Sequence, residues 1–342
     1  MEYPLYNCSF VIHRLSPLYH GVKDIFDPTT LQQYASRLKH VLKGGTLRGV
    51  QVGFLGNDEG LARAGSFRDC QWKPLLSKYF WQEQQRRREG VQNESQAEDM
   101  ETPEEQRRGL LIELQYEKNL YKAILLQHSS PPDVINDSHF TRFPVLLTRM
   151  PGPLCKTFLN YLSNTFDTRI SVMSLSSQFM STMLEQYLED TSSSQSSIVF
   201  QSVVRTLQLT ISFPPPISPS LKSLDITIPK EDIIGFKKAG RRLNQVERAG
   251  IGPTMGDFTT ALSAYIDNTL SMSLKANNEN IRISKIACGG FVIVGEGRIK
   301  LLSHTAPDSD DEDDPIHEAT IKLVDLLIEK AMENLEIGVT DT

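Results

Sequence analysis

Strands that meander, with helices set between them, predict an α+β chain of curved mixed and antiparallel sheets with packed helices, arranged as two sub-domains. Three observations carry that prediction. A buried strand, Tyr6 to Leu15, is written almost at the first residue and ends in the breaker Ser16-Pro17. Apolar runs face each other across short turns, as at Glu117-Lys118-Asn119 and Gly295-Glu296-Gly297. Between these runs, other segments repeat their apolar residues at helical spacing, and no internal repeat is visible.

The elements follow in order. After the apolar pair Leu18-Tyr19, Asp27 is a plausible N-cap with Pro28 at the first helical position. Leu31, Tyr34, Leu38, Val41 and Leu42 then recur at helical spacing until Gly44-Gly45. Thr46 to Leu55 alternates as a strand, and Cys70 to Leu76 reads as another. Residues 82–108 hold only Val91, Ala97 and Met100 as apolar residues among eight acids and five arginines. Such a stretch cannot bury enough surface to offset its ordering entropy, so it reads as a disordered insertion. LLIELQY and LYKAILL form the next hairpin, and Phe143 to Thr148 is a buried strand. Pro151-Gly152-Pro153 opens a helix to Phe166, and a second spans about Ser174 to Leu188.

The polar run TSSSQSS, 191–197, is the best boundary, giving domains 1–190 and 198–342. The second half opens with a strand from Ile198 to Phe213, then PPPISPS, whose prolines cannot join a ladder. A strand Leu221 to Ile228 leads into a helix after Pro229, and Thr254 to Leu270 is a further helix. Strands Ile281 to Ala287, Phe291 to Val294 and Arg298 to Leu302 follow. An acidic disordered loop, 305–315, precedes a last amphipathic helix, Ile316 to Leu335.

The totals limit the function. At 342 residues two domains are expected. A net charge of −6 supplies no global basic field, so any nucleic-acid contact has to come from a local patch. No stretch reaches the length of a membrane span, and folding from the fifth residue leaves no room for a targeting peptide; this reads as a soluble chain made in the cytosol, with the nucleus open to it. Cys8, Cys70, Cys155 and Cys288 are too far apart for a metal knuckle, so no metal or cofactor is expected, and buried free thiols are the expected state.

Catalytic motifs are absent. Gly250-Ile251-Gly252-Pro253-Thr254-Met255-Gly256 imitates a dinucleotide loop, which would make the chain a nucleotide-binding enzyme. Its spacing is one residue too long, Pro253 removes a donor, and no strand precedes it. It reads better as a hinge followed by an N-cap at Thr254. His13 alternates within a strand, His20 follows a turn and His40 sits on a helix, and none belongs to a metal or nucleophile motif. Lys237, Lys238, Arg241, Arg242 and Arg248 gather charge on a helix. They are either a solvated face or phosphate contacts. Ser309, within Asp308 to Asp314, suits an acidophilic kinase.

Three segments carry a resemblance to a known family. They are the opening strand followed by LSPLYHG and a helix, then LNYLSNTFDTRISVMSLSSQFM (159–180), then LKSLDITIPKEDIIGF (221–236). In that order the chain resembles the centromere protein L family of the inner kinetochore. The resemblance implies a non-enzymatic structural subunit of the constitutive centromere-associated network, in the nucleus and away from membranes. It implies pairing with centromere protein N, contact with other subunits, and engagement of chromatin built on the centromere-specific histone H3 variant. It also implies a C-terminal sheet edge as the partner surface and a basic channel for DNA. By position, the edge would be Ile281 to Ala287 and Phe291 to Leu302, with Ile281, Ile283, Phe291, Ile293, Val294 and Ile299 facing the partner. An uncovered apolar hairpin of that kind invites strand addition.

Overall fold

The computed structural model describes residues 4–44, 46–47, 50–51, 64–76, 107–128, 139–193, 206–213, 221–247, 256–272, 274, 281–302 and 315–336. Among these are six helices and mostly antiparallel strands, a mixed α+β architecture. Internal contacts divide the chain into two units. One holds Met1–Leu5, Phe10–Met173 and Leu327–Thr342, and the other holds Tyr6–Ser9 and Ser174–Leu326.

In the first unit, β1 (Ser9–Leu15), β9 (Val145–Arg149), β7 (Leu120–Leu126), β6 (Arg107–Tyr116) and β5 (Phe67–Leu76) lie side by side, each pair antiparallel. A short β10 (Ile170–Val172) pairs with the far half of β1. Two-stranded ribbons join β2 (Leu18–Tyr19) to β8 (Phe140–Thr141) and β3 (Thr46–Leu47) to β4 (Val50–Gln51). The strand expected over Thr46 to Leu55 is thus a small hairpin as far as it is described. Arg107 and Arg108, assigned from sequence to the insertion, begin β6, and the rest of that insertion lies outside the described residues.

Helix α1 (Pro28–Gly44) starts where the sequence predicts. The Asp27 carboxylate accepts the Thr30 N–H at 2.8 Å, and hydrogen bonds from Thr29 and Thr30 hold its pKa below the usual value. Leu31, Tyr34 and Leu38 of α1 join Leu154, Phe158, Leu162 and Phe166 of α2 (Gly152–Phe166) over Leu110, Ile112, Leu114, Leu125 and Leu146 of the sheet. Trp72 sits among Tyr34, Tyr161 and Phe166, with ring centroids 5.8, 6.5 and 6.2 Å away. Gly109 is obligatory: its φ is +148°, and a Cβ there would lie 1.8 Å from the Leu125 carbonyl oxygen.

The second unit has the strand order β12 (Ser223–Pro229), β11 (Thr206–Ser212), β13 (Arg282–Ala287), β14 (Phe291–Val294), β15 (Arg298–Leu301). Tyr6 forms a parallel bridge with Leu301, and the Asn7 N–H donates to the Leu301 carbonyl at 2.7 Å. Leu207, Leu209, Ile211, Ile228, Ile286, Phe291, Ile293, Ile299 and Leu301 are buried, and register sets them on one face. Helices α3 (Ser177–Ser193), α4 (Lys230–Glu247) and α5 (Asp257–Leu270) complete this unit with the first part of α6 (Pro315–Glu336). Tyr187 of α3 meets Phe291 edge-on at 5.0 Å, and the Ile283 N–H donates to the Ser177 hydroxyl at 3.0 Å.

Those contacts explain where the division falls. The sequence drew it at 191–197, but α3 carries Met180, Met183, Leu184, Tyr187 and Leu188 buried, and it belongs to the second unit. Residues 191–193 are the last residues of that helix, and the division lies between Met173 and Ser174.

Candidate functional site

The hairpin proposed from sequence as the partner edge lies inside its sheet. β13 is paired to β11 on one side and β14 on the other, and β14 is paired to β13 and β15. Ile283, Phe291, Ile293 and Ile299 are buried, Ile293 completely, while Ile281 and Val294 are half-buried. Strands bonded on both sides have no ladder groups left to offer a partner, so the apolar run that looked uncovered is core. The Gly295-Glu296-Gly297 turn is as read: Gly297, at φ +83°, closes the β14–β15 turn by donating to the Val294 carbonyl at 2.9 Å.

Among the described residues, β12 pairs with β11 alone. Its direction of pairing can be worked out. The Phe213 N–H donates to the Lys222 carbonyl at 3.0 Å, so alternation turns the amides of Leu224, Ile226 and Ile228 toward β11. The N–H and C=O groups of Ser223, Asp225 and Thr227 therefore point outward. Pro229 also points outward, where it has no N–H to leave unpaired.

The opposite face of this sheet is polar. Register aligns Thr227, Gln208, Ala287, Val292 and Lys300 in one row, and Asp225, Thr210, Lys285, Val294 and Arg298 in the next. The register shift between Thr210 and Ile211 inserts Ser284, which brings Arg282 onto the same face as Lys285. Arg282, Lys285 and Arg298 are exposed and Lys300 is half-exposed. None of the four has an ion-pair partner among the described residues. Lys285 and Arg298 lie two strands apart, about 10 Å. Asp225 is the acid of that face, and its carboxylate accepts the Thr210 hydroxyl at 2.6 Å.

The α4 cluster is less available than its sequence indicates. Lys237 turns inward, donating to the Leu188 carbonyl at 3.2 Å and the Ser192 hydroxyl at 2.9 Å, and burial lowers its pKa. The Arg241 Nε donates to the Asp257 carboxylate at 3.3 Å. Lys238 and Arg242 are exposed, and Arg248 lies outside the described residues. Ser309 and residues 250–255 of the glycine-rich loop lie outside them too.

The helix after that loop is capped from elsewhere. Gly256, not Thr254, is its N-cap, and it brings no side-chain cap. Instead the Glu185 carboxylate of α3 accepts the Thr259 N–H at 2.5 Å and the Thr259 hydroxyl at 2.8 Å. Burial raises the pKa of Glu185. A carboxylate already occupies the position a phosphate would take in a nucleotide site, which counts against the nucleotide reading. Gly240 lets α4 and α5 meet, since a Cβ there would lie 1.6 Å from the Asp257 carbonyl oxygen.

His13 is buried, shares a hydrogen bond with the Thr148 hydroxyl at 2.9 Å, and burial lowers its pKa. The four cysteines are free thiols; burial pushes Cys70 to about 12 and Cys288 to about 11, and Cys155 is only half-buried. No group of three or more His, Cys, Asp or Glu among the described residues could hold a metal ion, and none of the described helices is long and apolar enough to cross a membrane.

This α+β protein presents a strand edge and a charged sheet face. The chain belongs to the centromere protein L family, whose model matches residues 4–332. It is therefore a kinetochore protein of chromosome segregation, acting at the centromere in the nucleus, in a structural family. No curated protein sequence matches it.

Proposed function

We propose that this protein is a structural adaptor of the inner kinetochore. It pairs with a centromere protein N-type subunit and, with the other subunits of the network, links chromatin carrying the centromere-specific histone to the kinetochore. The observation that carries this reading is a strand edge and a cationic face on one sheet. β12 supplies outward amides at Ser223, Asp225 and Thr227 for a partner strand. Arg282, Lys285, Arg298 and Lys300 form the DNA surface, with Lys238 and Arg242 of α4 as further phosphate contacts. Phosphate contacts position a duplex without reading its bases, which suits a subunit directed to one locus by its protein partners.

Thr227→Pro tests the edge. It removes an outward N–H while leaving the bonds to β11 intact, so the fold is expected to persist and co-purification with the N-type subunit to fail. Undiminished co-purification by a folded T227P chain rules out β12 as the edge.

A further inference from the structure

The first unit has its own short strand edge, and beside it runs a groove. Cys155, Lys156, Leu159, Asn160 and Ser163 recur along one stripe of α2, and with Ile170 of β10 they line a groove of about 390 Å³. β10 pairs with β1 through Leu15–Ile170, Arg14–Ser171 and His13–Val172. The Arg169 carbonyl accepts the Ser16 N–H at 3.0 Å and the Met173 N–H donates to the Ile12 carbonyl at 2.9 Å. Alternation then leaves the N–H and C=O of Ile170 and Val172 pointing away from β1, and no other described strand meets them. Their side chains share the α2 face with Leu15, and Val172 is 58% exposed there.

Charge narrows the occupant. Helix α2 contains no acidic residue, and its N-terminus has no side-chain cap. Lys156 is exposed on the lining of the groove, with no ion-pair partner among the described residues. Asp167 is the nearest acid along the chain. An apolar floor of Leu159, Ile170 and Val172 beside unpaired amides suits a peptide backbone better than a sugar–phosphate one.

We infer that the β10 edge and the α2 groove form a second docking site, which takes an extended acidic segment of another protein by strand addition. Its apolar residues, at alternate positions, lie on Leu159, Ile170 and Val172, and an acid beside them meets Lys156. Two residues of edge offer few backbone bonds, so the site is a weak and reversible one, separate from the β12 edge.

The probe is a fluorescein-labelled synthetic peptide, Asp-Glu-Val-Glu-Ile-Glu-Val-Asp-Glu, titrated by anisotropy against the full chain. A control peptide has lysine at every acidic position. The acidic peptide is expected to bind and the lysine peptide not to. Val172→Pro removes an outward N–H and is expected to weaken binding at least about tenfold, as is Lys156→Glu. Amide exchange at Ile170 and Val172 should slow when the peptide is present. T227P should bind the peptide like wild type, which keeps this site distinct from the N-type edge. No binding of the acidic peptide, or equal binding by a V172P chain with wild-type melting, overturns the inference. So does self-association in sedimentation that V172P abolishes, since the occupant is then a second copy.

Discussion

Replacing Lys285 and Arg298 by glutamine removes two of the four cations on the open face of the β12–β15 sheet without touching its core. Both side chains are exposed and stand in one cross-strand row, joined through Val294. If Arg282, Lys285, Arg298 and Lys300 each neutralise one phosphate, these four contribute about −3.6 to the slope of log K against log salt. From about 50 to 200 mM salt this face then accounts for a loss of roughly 150-fold in affinity in the wild-type chain, and of only roughly 12-fold in the double variant. The assay is anisotropy of a labelled duplex across a salt series, with melting temperature as the control for folding. An unchanged slope in a folded double variant would refute the placement of DNA on this face. The same pair of substitutions at Arg241 and Arg242 should move the slope by no more than about one, because Asp257 already holds Arg241.

Ile293→Ala should cost about 2–5 kcal/mol in urea unfolding, since Ile293 is fully buried between Ile286 and Ile299; a cost below about 1 kcal/mol would contradict its core placement. Gly240→Ala drives a methyl into the Asp257 carbonyl and should destabilise the chain by about 1–3 kcal/mol or more, read from the urea midpoint; an unchanged midpoint would mean that α4 and α5 do not meet there. Glu185 has a pH signature. Burial raises its pKa in the folded chain, so between the ordinary and the raised value the folded state holds a proton that the unfolded chain has lost. Its contribution to stability therefore falls as pH rises through that window. Glu185→Gln should flatten that part of the pH–stability curve, and an unchanged curve would count against burial of the carboxyl.

Periodicity and punctuation made most elements legible. Asp27-Pro28 marked the start of α1, and the Leu110–Leu126 hairpin was visible in its alternation. The helix start at Gly256 was missed because its cap, Glu185, is supplied from 74 residues away in the chain. The cations of the sheet face were missed for a different reason. Arg282, Lys285, Arg298 and Lys300 each look like an ordinary solvated strand position. Only the register, with the bulge at Ser284, gathers them onto one face.

By itself the sequence determined the α+β class, the elements around its capping and turn residues, and, through three ordered segments, the family. Those are local properties: a cap, a turn or an apolar period depends on residues a few positions apart. Tertiary structure decided which strand is an edge. An apolar hairpin such as FVIVGEGRIKLL reads the same whether its neighbours are present or absent, and β11, which covers β13 on the side away from it, and the Tyr6–Asn7 segment, which meets Leu301, come from distant parts of the chain. Strand pairing is non-local, so the edge passed from the hairpin to β12, and the hairpin's own cations became the surface.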